Sequence, residues 1–84
     1  MTDVAAVLAD LLAEITHGRA RPSELAAETP LQGGGLALVS VEILELVVGI
    51  EDRLGVELRG DDLAPAQFGT FGRLVALVAE RCGT

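Results

Sequence analysis

Tryptophan, tyrosine and lysine are absent from this 84-residue chain, and phenylalanine occurs twice, at Phe68 and Phe71. With so few rings, a core must come from Leu, Val, Ile and Ala, the residues of a small helical bundle. A single cysteine, Cys82, excludes an internal disulfide and argues against an oxidising compartment; it reads as an incidental thiol near the C-terminus. Positive charge is also scarce. Six arginines face thirteen Asp and Glu, for a net charge of −7 and a pI near 4.4. Such a surface repels phosphate backbones and anionic lipid and attracts basic patches, so nucleic acid is excluded as a partner. No apolar run approaches the ~18 residues of a membrane span. Asp10 and Glu14 interrupt the first apolar stretch, and no basic lead-in precedes it, so no signal peptide is expected. The mean hydropathy of +0.47 therefore predicts a rich core rather than a membrane protein. The expectation is a soluble, cytoplasmic, monomeric domain spanning residues 1–84.

What is present is helical periodicity. Val4, Leu8, Leu11 and Ile15 recur at helical spacing, widened by Val7 and Leu12, with Thr2 or Asp3 as cap and Gly18 as stop. A first helix over Val4 to Thr16 follows. From His17 to Val39 the chain is rich in breakers: Gly18, Pro22, Pro30 and the run Gly33, Gly34, Gly35. Pro22 can open a short helical turn. Leu25, Leu31, Leu36 and Leu38 recur along this long loop, which predicts that it is pinned across the core. A second helix runs from Ser40 to about Leu54. Ile43, Leu46, Val47, Ile50 and Leu54 share its apolar face, and Glu42, Glu45, Asp52 and Arg53 the polar one. Gly49 is assigned to the polar side, Val41 and Val48 to the border, and Gly55 to the C-cap. A brief helix after Gly60, with an Asp cap and Pro65 near its start, precedes a last helix from Phe71 to about Arg81. Its buried stripe is predicted as Phe71, Leu74, Val75 and Val78. The fold class is thus all-α: three main helices plus one short helix, with a long loop between the first two.

Enzyme chemistry finds no foothold. Ser40 has no nearby base, since the lone histidine, His17, sits at the start of the loop, and its surroundings are not a glycine-flanked nucleophile elbow. The glycine run lacks the following Lys-Ser/Thr of a P-loop and the third glycine of a dinucleotide fingerprint. Asp61 and Asp62 lack calcium-loop spacing and read as a solvated turn and cap. No enzymatic activity is expected. What remains is a serine opening an acidic amphipathic helix after a glycine-rich loop.

The stretch Gly35-Leu36-Ala37-Leu38-Val39-Ser40-Val41-Glu42, continuing through Glu45 to Val56, resembles the modification region of an acyl carrier protein. In that family a serine, usually preceded by Asp and followed by Leu, Val or Ile, opens the second helix. Phe68-Gly69-Thr70-Phe71-Gly72-Arg73-Leu74 resembles the family's entry into its last helix, and length and helix order agree along the whole chain. The resemblance implies an acyl-carrier-like bundle in which Ser40 carries phosphopantetheine, transferred from coenzyme A by a phosphopantetheinyl transferase. It implies that the arm's thiol holds acyl groups as thioesters for separate ketosynthase- and acyltransferase-type enzymes of fatty-acid or, preferentially, polyketide biosynthesis. Val41, Glu42, Glu45, Val48, Glu51 and Asp52 then form the docking surface for basic patches on those enzymes. A helix N-terminus favours a phosphodiester; the plain alternative for Ser40 is an N-cap, and for the acidic residues a solvated face. The chain departs from the family's pattern at Val39, where Asp is usual and helps the transferase recognise its substrate, and at Ala37, often Gly. Val39 is therefore a lost recognition charge or a core residue under the loop. A peptidyl carrier, or an unprimed module binding a basic partner, are the alternative readings.

Overall fold

The computed structural model describes residues 3–32 and 36–83. Thr2 and the glycine run 33–35 lie outside the described residues. Three α-helices form the body: α1 over Val4–Ile15, α2 over Ser40–Leu54 and α3 over Phe71–Arg81. Among the described residues there is no β-strand, only an isolated bridge between Pro30 and Thr70. No described helix is long and apolar enough to cross a membrane.

Each boundary has a local cause. The Asp3 carboxylate accepts from the Ala6 N–H at 3.1 Å and opens α1. The helix closes at Thr16, a residue short of the predicted end, because His17 and Gly18 both turn left-handed (φ 53° and 87°). The buried Thr16 hydroxyl donates to the Leu12 carbonyl at 2.6 Å and accepts from the Ala20 N–H at 2.9 Å, so the reversal is tied to its own helix. Gly55 closes α2 in the left-handed conformation (φ 66°), the αL stop that glycine adopts without steric cost. Thr70 caps α3 by accepting from the Arg73 N–H at 3.2 Å.

The short helix predicted after Gly60 is in fact two successive 3₁₀ turns, Gly60–Leu63 and Pro65–Phe68. Ala64 between them is extended (φ −64°, ψ 144°), as the residue before a proline tends to be, so a continuous helix cannot pass. A further 3₁₀ turn, Pro22–Glu24, begins at the proline that the sequence marks.

Leu8, Leu12, Leu46, Ile50, Leu74 and Val78 meet in the centre with no exposed surface, and Phe68 closes one end at 1%. The long loop is pinned through Leu31 and Leu38, both buried, and Ala20 joins them. Its backbone is stitched to the start of α3: Leu31 N–H donates to the Gly69 carbonyl, Phe71 N–H to Thr29 and Gly72 N–H to Ala27, at 2.8–3.0 Å. On α3 the fully lined stripe is Phe71, Leu74, Leu77 and Val78, with Val75 half-buried; Leu77, absent from the predicted stripe, lies three residues after Leu74 and takes the inner position. Gly49 is likewise displaced from its predicted polar setting. It is half-buried against α1, and a Cβ there would stand 2.6 Å from the Leu11 Cδ2 atom.

Candidate functional site

The N-terminus of α2 is built differently from its neighbours. Val39 occupies the N-cap position in extended backbone (φ −92°, ψ 167°) and has no oxygen with which to cap. Only the reciprocal half of a capping box forms, with Glu42 Oε1 accepting from the Val39 N–H at 3.1 Å. The first-turn N–H groups of Ser40, Val41 and Glu42 therefore have neither an intrahelical acceptor nor a side-chain cap. Ser40 itself is the first helical residue, one place inside the cap position that its plain reading would assign. It is exposed, and its hydroxyl has no hydrogen-bond partner among the described residues. Val39 is 57% exposed, so it does not pack into the core under the loop.

Arg19 reaches this helix start from the turn after α1. Its Nη2 donates to the Leu36 carbonyl at 2.9 Å and to Glu42 Oε1 at 3.0 Å, and Nη1 donates to Glu42 Oε2 at 3.3 Å. Ala37, between Leu36 and the serine, holds a left-handed backbone (φ 49°) that a Cβ disfavours. The Arg19 hydrogen bond, then the Val39 N–H, hold the Glu42 carboxyl below its ordinary range. Nothing in the sequence pairs Arg19 with Glu42 across 23 residues; only the reversal at His17 and Gly18 does.

The outward face of α2 carries an apolar stripe. Val41 (61%), Leu44 (62%) and Val48 (57%) are exposed at i, i+3 and i+7. Leu44 was not among the sequence candidates, although its spacing from Val41 and Val48 marks it. Glu45 and Asp52 flank the stripe, exposed and without ion-pair partners among the described residues. The other two acids face inward: Glu42 is held by Arg19 with 14% of its side chain exposed, and Glu51 Oε2 accepts from the Leu58 N–H at 3.0 Å, fastening the chain beyond α2. Beside the stripe, Leu11 and Ile15 of α1 and Leu44, Val48 and Gly49 of α2 line an open groove of about 530 Å³, rimmed by Glu45, Asp52 and Arg53. Arg53 pairs with Glu14 of α1.

At the far end of the molecule Asp62, nearly buried, receives both prongs of Arg81, at 2.6 and 2.9 Å, and accepts from the Arg59 N–H at 3.3 Å. Arg81 above all holds its carboxyl low. Asp62 is thus a structural ion-pair partner rather than a solvated turn residue. No protein-family model and no curated protein matches the chain.

Proposed function

We propose that this protein is an acyl carrier that tethers acyl groups as thioesters on a phosphopantetheine arm at Ser40 and presents them to separate biosynthetic enzymes. The observation that carries the reading is the exposed Ser40 hydroxyl, without a hydrogen-bond partner among the described residues, on the first turn of a 15-residue helix whose N-cap residue offers no side-chain cap. A phosphodiester formed at that oxygen lies beside first-turn N–H groups that have no side-chain cap among the described residues, and beside the positive end of the helix dipole. The sequence resemblance around Ser40 supports the same reading and supplies its chemistry. The serine oxygen bonds to the phosphorus of coenzyme A that bears the pantetheine, the pyrophosphate bond breaks, adenosine 3′,5′-bisphosphate leaves with the bond's electron pair, and the serine proton is released. The arm contributes a thiol that forms thioesters. The exposed stripe of Val41, Leu44 and Val48 with Glu45 and Asp52 suits enzymes with basic, partly apolar docking patches, of polyketide or fatty-acid type, in the cytoplasm.

Incubation with coenzyme A and a promiscuous phosphopantetheinyl transferase tests this by intact mass. Wild type gains one phosphopantetheine and Ser40→Ala gains none. Val39, in the place of the expected Asp, favours a second reading, an unprimed module that binds a basic partner through the same stripe. A wild type that stays unmodified at saturating transferase selects that reading; an equal adduct on Ser40→Ala places the arm elsewhere.

A further inference from the structure

We infer that Arg19 is a positioning residue for Ser40, fastening the loop ahead of the serine to the first turn of α2 so that the hydroxyl is presented in one register. The inference rests on the carrier reading above and adds a residue to it. Three elements meet at the guanidinium. The Leu36 carbonyl belongs to the loop, Glu42 to α2, and Arg19 itself to the turn that leaves α1. Glu42 passes the restraint on, because the oxygen that takes Arg19 Nη2 also takes the Val39 N–H. Ser40 follows directly. On the loop side the Leu38 N–H donates to the Leu31 carbonyl at 2.8 Å and Leu36 N–H to Pro30 at 3.1 Å, so Ala37 is held between two fixed points. Its left-handed φ of 49° is a conformation an alanine leaves when released, turning the residues ahead of Ser40 with it. The bond to Leu36 and the bidentate grip on Glu42 oppose that release. The turn that aims Arg19 is itself secured by the Thr16 hydroxyl on the Ala20 N–H.

A site whose competent conformer is partly depopulated binds its enzyme more weakly by that fraction, with the step after binding unaltered. Transfer kinetics on the full chain, with coenzyme A saturating and the carrier varied, separate this from loss of fold, well below the melting temperature of each variant. Arg19→Ala is expected to raise the KM for the carrier by about fivefold or more with kcat unchanged. Arg19→Lys, which keeps a donor but not the fork, falls between. Ala37→Gly, added to Arg19→Ala, recovers most of the KM, because glycine takes the left-handed conformation without the clamp. Amide exchange at Val39 quickens in Arg19→Ala and slows again in the double variant. A KM within twofold of wild type for a folded Arg19→Ala overturns the inference, as does a double variant no better than the single. A wild type that accepts no phosphopantetheine removes the carrier reading and this role together, whereas normal priming with an unmoved Arg19→Ala removes this role alone.

Discussion

Val39 concentrates the chemistry of the site in one side chain. It stands at an N-cap position with suitable extended backbone and offers no acceptor to the helix behind it. Asp at that place can accept from the first-turn N–H groups, a gain of about 0.5–2 kcal/mol relative to residues that cannot cap. Its exposure of 57% removes the packing penalty that a buried carboxylate would bring. Val39→Asp should therefore raise the melting temperature by several degrees, at about 4–8 °C per kcal/mol for a domain of this size. If the carboxylate also meets a polar group on the transferase, a charge-assisted bond of about 1.5–3 kcal/mol speeds priming at least about tenfold. Melts and priming rates on the two proteins measure the effects separately. A higher melting temperature with an unaltered rate leaves the cap in place and removes the recognition charge.

Two glycines, Gly49 where α2 meets α1 and Gly72 where α3 meets the loop, show what decides packing between elements. A Cβ at Gly72 would stand 2.8 Å from both Cβ and the carbonyl oxygen of Ala27, and the Gly72 N–H donates to that same carbonyl at 2.8 Å. Backbone cannot step aside, so Gly72→Ala should cost about 1–3 kcal/mol through overpacking and a displaced α3 entrance. At Gly49 the nearest atom is the tip of Leu11, which borders the open groove and has somewhere to turn. The helix-propensity gain of about 1 kcal/mol then offsets the shift, and Gly49→Ala should change stability by less than about 1 kcal/mol. Urea unfolding of both variants checks the contrast; equal losses would mean that Leu11 is as immobile as the Ala27 backbone. The link between the Gly60–Leu63 turn and α3 is electrostatic instead. The carboxyls of Asp62 and Glu42 titrate lower in the folded chain than in the unfolded one. The unfolded chain therefore binds more protons below the ordinary values of about 4, and stability present above about pH 5 is lost as pH falls through the lowered values. Asp62→Asn should start less stable at pH 7 and lose less between pH 5 and 3 than wild type does. Parallel losses in the two proteins would remove the Arg81 pair as a contributor.

Over the whole molecule, 29 by 26 by 21 Å, an acidic surface meets an exposed apolar stripe on one helix. On the carrier reading proposed above, the net charge of −7 would draw a basic partner in, and the stripe would give it somewhere to bury apolar area. Reversing Glu45 and Asp52 to Lys should weaken the complex with a phosphopantetheinyl transferase, and added salt should weaken the wild-type complex, since exposed charges are screened over about 10 Å at 0.1 M. Leu44→Ser should weaken it as well, with the salt dependence unchanged. All three side chains face outward, so melting temperatures should barely move. Titration calorimetry giving wild-type affinity for both variants would place docking on another face.

The sequence by itself determined the three helices, the Ser40 start and Leu54 end of α2 and the αL stop at Gly55, because these follow from the 3.6-residue repeat, from glycine and proline, and from contacts a few residues apart. Its composition determined the net charge of −7. Its repeat also contained Leu44, whose exposure only packing revealed, since a wheel shows where a residue points and not where the neighbouring helix lies. That neighbour turned Gly49 inward and gave Leu77 the place predicted for Val75. Two of the engaged acids required the tertiary structure for the same reason. Glu42 meets Arg19, and Asp62 meets Arg81, across 23 and 19 residues, and the reversals that bring them together are set by left-handed turns and by loop bonds to the α3 entrance. Periodicity carries no record of such distances, which is why the helix start at Ser40 was legible in the sequence while the Arg19–Glu42 contact beside it was not.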